Sequence, residues 1–232
     1  MAIPLILAMT GAEISKKTVL PPFISWMACH FSPYGTGLTN LPDSIPPGSM
    51  VIVNDRTPVC GHDPELILHQ LSALIEETQC SSILLDFQRP DEPQTAAITD
   101  AIVNGLPCPV GVSEPYARGH SCPVFLAPVP PPIPLAEYAA PWEGREVWLE
   151  AALDASRITV TPDGSTIVPL SGAVQSDACH HDSELCCHYH MDVQTDRIQF
   201  HLYRTWEDLK DLLAAAEKTV ITKAIGLYQE LK

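Results

Sequence analysis

Short apolar segments recur along the chain, and most of them end in polar residues followed by proline or glycine. The clearest is SSILLDFQRP at 81–90, in which an aliphatic run ends at Asp86. Near-continuous aliphatic runs of this length are typical of buried parallel strands. Comparable runs occupy 22–30, 50–54, 109–112, 124–127, 145–152 and 220–227. The pattern predicts a series of strands whose polar residues follow their C-terminal ends.

Amphipathic segments between these runs predict helices. One begins with Pro64 after the N-cap candidate Asp63, and others are predicted over 91–104 and 205–218. About eight inward-facing strands alternating with helices predict an α/β fold, a (β/α)8 TIM-like barrel formed as one domain over 1–232. An open doubly wound sheet is the alternative, but no glycine-rich phosphate-binding turn favours it.

The second half of the chain departs from strict strand and helix alternation. The segment 158–168 predicts a hairpin that turns at 162–164, and 186–193 is expected to pair with 198–203. The barrel is therefore expected to be compact and irregular, with β-hairpins replacing some helices after the sixth strand.

Composition and charge narrow the class of protein. The chain has 232 residues, 46% of them hydrophobic and 18% charged, which is typical of a globular protein. A net charge of -15 argues against partners that need clustered lysine and arginine, namely nucleic acids and anionic membranes. The apolar start lacks a preceding basic region, so we expect a cytoplasmic protein with reduced cysteines. Nothing in the sequence indicates a cofactor or an oligomeric state.

The strand at 81–90, together with the barrel prediction, resembles the chitinase-like glycoside hydrolases of family 18. Their fourth barrel strand carries the pattern D-x-x-D-x-D-x-E, commonly followed by an aromatic residue and a proline. The four positions of that pattern correspond here to Ser81, Leu84, Asp86 and Gln88. Only Asp86 matches; Phe87 lies between the last two positions, and Pro90 follows them.

The resemblance implies a substrate-assisted reaction in which the acetamido group of the sugar is the nucleophile. The last acid of the pattern protonates the leaving oxygen, and the aspartate two residues earlier orients the acetamido group. Residues two apart on a strand face the same side, so these two groups act together. Gln88 has no proton to deliver at neutral pH, so the resemblance implies a catalytically impaired barrel that binds or formerly processed a carbohydrate.

Several other polar residues stand near strand ends and are candidates for the same site. The expected catalytic residues are Asp86, Gln88 and Glu114, and the expected substrate-binding residues are Asp55, Arg89, Tyr116, Tyr228 and Glu230. Glu150 is a further carboxylate at a strand end. Two interpretations of these carboxylates stay open. They converge with Asp86 at the barrel mouth, or they cap helices and pair with Arg56 and Arg89. Arg89 either clamps a sugar or holds its loop.

Histidine and cysteine concentrate in 179–190, which predicts either a structural cluster or a metal site. His188 and His190 share one strand face, a spacing also used by metal-dependent hydrolases, whereas 180–182 is expected to form an exposed loop. No C-x-x-C pair completes a zinc pattern, so we expect a structural histidine pair and no metal. A metal-dependent hydrolase built on His188 and His190, and a non-catalytic interaction protein, are the alternatives to the carbohydrate barrel.

Overall fold

A computed structural model describes residues 3–89, 93–172 and 179–231 and contains a closed barrel of eight parallel strands. The first strand pairs in parallel with both the second and the last, which closes the ring. The barrel strands are β1 (Leu5–Met9), β2 (Ile24–Phe31), β4 (Met50–Asn54), β5 (Ser82–Asp86), β6 (Val110–Ser113), β7 (Val124–Leu126), β8 (Val147–Ala151) and β14 (Ile221–Leu227). A short strand, β3 (Leu38–Thr39), pairs antiparallel with the end of β2.

Helices pack around the barrel, and two of them begin where the sequence predicts, after Asp63 and Thr205. The helices are α1 (Gly11–Ser15), α2 (Pro64–Thr78), α3 (Pro93–Gly105), α4 (Leu135–Ala139) and α5 (Trp206–Ala216). The Asp63 carboxylate accepts the backbone N–H of Glu65 at 3.0 Å, which satisfies an otherwise unpaired donor at the start of α2. Thr205 and Asp208 cap each other at the start of α5 in the same way. No helix within the described ranges is long and apolar enough to cross a membrane.

A five-stranded antiparallel sheet lies between β8 and α5 in the sequence. Its strands are β9 (Ala155–Thr161), β10 (Gly164–Leu170), β11 (His180–Asp182), β12 (Cys187–Val193) and β13 (Ile198–Tyr203), in the spatial order β10-β9-β13-β12-β11. Arg204 joins this sheet to the barrel: its buried guanidinium donates to the carbonyls of Cys186 and Leu185 at 3.2 Å, and to that of Val129 beyond β7. The insertion therefore has a fixed attachment to the barrel rim.

The interior of the barrel is filled by alternate side chains of its strands. Trp148 is fully buried there, beside apolar side chains from neighbouring and facing strands. The interior cluster consists of Ile6, Ala8, Met50, Ile52, Leu84, Phe125, Trp148 and Ile225. Gly111 on β6 leaves the space that the indole ring occupies, since a Cβ at position 111 would lie 2.3 Å from the Trp148 ring. The filled interior leaves ligand binding to the rim.

The structure confirms the barrel and excludes the open sheet, because a sheet whose first strand pairs with both neighbours has no edge. The antiparallel insertion follows the seventh barrel strand, one later than expected, because the apolar segment 5–9 is itself a barrel strand. Residues 180–182 form β11, not the loop that was expected, since all three pair with 187–189 on β12. Pro90 and the predicted helix start at 91–92 lie outside the described residues.

The contact between Gly111 and Trp148 predicts a strong effect of a single methyl group. We expect Gly111→Ala to destabilise the protein by about 1–3 kcal/mol, because overpacking a filled core forces side chains off their preferred rotamers. Gly172→Ala is the control, since nothing lies within 4 Å of a Cβ built there. Denaturant unfolding measures both. Equal stability of the two variants would show that the barrel interior is not packed in this way.

Candidate active site at the barrel mouth

Asp86 is the last residue of β5 and points into the barrel at its C-terminal rim. Leu84 lies two residues earlier and belongs to the buried interior, so strand alternation directs Asp86 inward as well. The hydroxyl of Ser113, at the end of β6, lies 3.5 Å from Oδ1 of Asp86 and donates to the Leu85 carbonyl at 3.2 Å. The same hydroxyl accepts the backbone N–H of Phe87 at 3.0 Å. Ser113 therefore holds the end of β5.

The side chain of Gln88 is hydrogen-bonded to Asp86, the one residue that matches the family pattern. Its side-chain Nε2 donates to Oδ1 of Asp86 at 2.5 Å. Burial raises the pKa of the Asp86 carboxyl, and the charge of Asp55 adds to this, whereas the bonds from Gln88 and Ser113 act in the opposite direction. The amide therefore satisfies Asp86 as a donor but offers a substrate no acidic proton.

Asp55 and Arg89 hold the loop that follows β5. The carboxylate of Asp55 is 4% exposed and accepts the backbone N–H groups of Gln88 at 3.0 Å and Arg89 at 2.7 Å. In return, Nε of Arg89 donates to the Asp55 carbonyl at 2.8 Å, and Nη2 donates to the Arg56 carbonyl at 2.9 Å. These contacts favour the loop-holding interpretation of Arg89, and they give Asp55 a structural role beside the cleft.

A cleft of about 710 Å³ opens beside this loop, on the side formed by the first four barrel strands. Hydroxyl, amide, imidazole, guanidinium and carboxylate groups dominate its lining. The lining residues are Thr10, Met27, Ala28, His30, Asn40, Asn54, Asp55, Arg56, Asp86, Gln88 and Arg89. Sequence reasoning missed most of those from β1 to β3. Strand alternation could have predicted Asn54, because it lies two residues beyond the inward-facing Ile52.

Glu150 is the second inward carboxylate at the rim. It follows the buried Trp148 by two residues on β8, so alternation directs it into the barrel toward the same end as Asp86. Burial raises the pKa of Glu150 to about 7, and the charges of Asp86, Asp154 and Glu230 add to the effect. Glu150 is thus a carboxyl group that keeps a proton close to neutral pH.

The remaining predicted residues lie on the same rim but outside the cleft lining. Glu114 is exposed and lines a separate depression with Tyr138 and Trp142. The Tyr116 hydroxyl donates to the Arg89 carbonyl, and its ring meets Phe87 edge-on at 6.1 Å. Both contacts anchor the loop after β5.

The other two rim candidates, Tyr228 and Glu230, follow the last barrel strand. The ammonium group of Lys17 lies 4.7 Å from the centre of the Tyr228 ring. Glu230 is exposed and lines another depression, together with Asp154. The four predicted carboxylates end or follow barrel strands, so they lie at one end of the barrel. They are Asp55, Asp86, Glu114 and Glu230.

The histidines of the antiparallel sheet lie apart from this mouth. Nδ1 of His188 lies 2.8 Å from Oδ2 of Asp208, and Nε2 of His181 lies 3.1 Å from its Oδ1. Asp208 also receives the N–H and hydroxyl of Thr205 at 2.7 Å. His188 is therefore tied to the start of α5, and its neighbour His190 faces His201 instead.

Solved structures share this architecture at low sequence identity. The spore cortex-lytic enzyme SleL of Bacillus cereus superposes with a TM-score of 0.60 at 9% identity, over 99% of this chain and 71% of that one. A chitinase of Chromobacterium violaceum gives 0.56 at 10% identity, over 100% and 96%. SleL of Bacillus megaterium gives 0.56 at 9% identity, over 97% and 70%. No protein-family model and no curated protein matches the sequence.

The chain has the TIM-barrel fold of these solved structures. This confirms at the level of fold the resemblance drawn from 81–90. Sequence identities of 9–10% establish a shared fold and no shared chemistry. The chemistry of the site depends on the residues at the barrel mouth.

The raised pKa of Glu150 predicts a pH-dependent cost to stability. Its carboxyl favours the protonated form when folded, so the cost is absent below the unfolded pKa near 4.5 and complete above the folded pKa of about 7. We expect Glu150→Gln to stabilise the protein by about 1–3 kcal/mol more at pH 8 than at pH 5. Denaturant unfolding at both pH values measures this, with Glu143→Gln as control, since Glu143 is exposed and does not act on Glu150. An equal effect at both pH values would contradict the assignment.

Proposed function

We propose that the barrel mouth binds an N-acetylated carbohydrate and that the chain hydrolyses it poorly or not at all. One observation carries the proposal: Gln88 occupies the position that the general acid holds in the resembled family, and its amide is bonded to Asp86 at 2.5 Å. The glycoside-hydrolase-like fold and the polar cleft beside Asp86 support the binding part of the proposal.

The lining of the cleft suits the hydroxyl and acetamido groups of a sugar. Asn40 and Asn54 offer amide donors and acceptors, and Asp86 offers a carboxylate acceptor at the centre of the rim. Convergent polar groups of this kind fix the orientation of a bound ligand. Asp86 keeps the geometry needed to accept the N–H of an acetamido group, because Ser113 and Gln88 hold its carboxylate in place.

Cleavage would need a proton that position 88 does not hold. In the substrate-assisted reaction, the acetamido oxygen bonds to the anomeric carbon as the bond to the leaving oxygen breaks. The electron pair of the broken bond passes to that oxygen, which takes a proton from the acid. A carboxamide cannot give up such a proton at neutral pH, and general acid catalysis is typically worth about 10²- to 10⁴-fold in rate.

The native chain is therefore expected to show negligible hydrolysis of chitin oligosaccharides, and Gln88→Glu is expected to raise the rate at least about 100-fold. The new carboxyl lies beside Asp86, so the two titrations should couple and raise one pKa, which sets the basic limb of the pH profile. Release of reducing ends from N-acetylglucosamine oligomers measures the rate across pH.

Two controls separate this outcome from a trivial effect of charge. Gln229→Glu makes the same change on an exposed residue outside the cleft and should leave the rate at the native level. Asp86→Asn added to Gln88→Glu should remove the gain, because the acetamido group loses its charged acceptor and keeps only a weaker amide oxygen. A folded Gln88→Glu protein without activity would show that the cleft no longer positions a sugar beside position 88.

A second candidate function is favoured by Glu150, whose pKa is raised to about 7. In this alternative the barrel is an active glycosidase, and Glu150 delivers the proton from β8, three strands from the one that carries Asp86. It predicts hydrolysis by the unmodified chain, with loss of at least about 100-fold in Glu150→Gln and no loss in Glu143→Gln, a change at an exposed residue outside the cleft. Activity of the native protein that survives Glu150→Gln would contradict this alternative.

The wider assignments rest on the sequence and stay predictions. They are a single domain over 1–232, a cytoplasmic location, and the absence of nucleic-acid and membrane partners. A non-catalytic interaction protein remains the alternative for the barrel mouth if oligosaccharides do not bind. Glycan-array binding of the purified chain decides between these two, because an interaction protein without a sugar site gives no signal.

A further inference from the structure

The antiparallel sheet brings three potential metal ligands together on one face. His190 on β12 lies directly opposite His201 on β13, and their rings stack with centres 4.6 Å apart and planes only 2° apart. Asp192 follows His190 by two residues, so its side chain projects from the same face. One ligand atom from each of the three residues lies within 4.8 Å of the other two.

The two imidazole rings also carry unused nitrogen atoms. His190 is only 6% exposed, and neither its Nδ1 nor that of His201 has a hydrogen-bond partner among the described residues. A buried polar atom without a partner is costly, so the sheet around the two rings does not satisfy all of their nitrogen atoms. Nε2 of His201 lies 3.4 Å from Oδ2 of Asp192, so the carboxylate is already directed toward the pair.

We propose that His190, Asp192 and His201 form a site for a divalent transition-metal ion of the Zn²⁺ class. Two imidazoles and one carboxylate form a ligand set typical of zinc, and a fourth position would be left for water or a ligand. This set differs from His188 and His190, the pair considered in the sequence analysis as the alternative metal site. His188 does not belong to the set, because its ring is paired with Asp208. It is independent of the barrel mouth and of the proposed carbohydrate function.

The electrostatic surroundings set a limit on affinity. Arg157 lies opposite His201 on β9 and acts on the His201 ring as a nearby positive charge. A cation in this position opposes a second cation, whereas Asp192 attracts it. Removing the positive charge in Arg157→Gln should therefore tighten metal binding, a response that a structural histidine pair would not show.

Titration calorimetry of the metal-free full chain with ZnCl₂ at pH 7.5 tests the proposal. We expect one Zn²⁺ per chain, at least 10-fold weaker binding in His201→Gln and in Asp192→Asn, and tighter binding in Arg157→Gln. The matched control is His188→Gln on the same strand face, which should bind Zn²⁺ as the native chain does. MgCl₂ should give no binding, because Mg²⁺ prefers oxygen ligands.

Three results would overturn the site. They are no heat at 100-fold excess of Zn²⁺ over protein, binding that persists unchanged in His201→Gln and Asp192→Asn, and binding lost only in His188→Gln, which would move the ion to Asp208. His190→Gln changes a buried residue, so circular dichroism must first show that it folds. The exposed Asp192 and the half-buried His201 keep the test decisive if it does not.

Discussion

Closure of eight parallel strands into a ring is the constraint on which the structure depends. The pairing of β1 with both β2 and β14 removes every free edge from the barrel and forces alternate side chains into a narrow interior. Trp148 fills that interior against Gly111. The barrel interior therefore has no room for a ligand, and the parallel strands bring all of their C-terminal ends together at the rim.

Contacts at the rim fix the loop after β5 through its backbone. Asp55 accepts two backbone N–H groups of the loop after β5, and Ser113 holds the end of that strand. These contacts fix Asp86 and position 88 whichever side chain stands there. Gln88 donates to Asp86, and Glu150, three strands further round the barrel, is the carboxyl group whose pKa is raised to about 7.

Local sequence signals anticipated much of this structure. Asp63 and Thr205 marked two helix starts, the turn at 162–164 marked a hairpin, and the run ending at Asp86 marked the strand that carries the site. The remaining features depend on residues far apart in sequence. No local pattern shows that 5–9 closes the ring or that Ser113 reaches β5.

The central claim is that the rim between β1 and β5 holds a sugar. The most direct measurement is the mapping of backbone amide chemical shifts by NMR during titration with an N-acetylglucosamine oligomer. The account predicts concentration-dependent shifts in residues 28–30, 54–56 and 86–89, which line the cleft or lie beside it. Shifts confined to the antiparallel sheet, or no shifts at millimolar ligand, would contradict it.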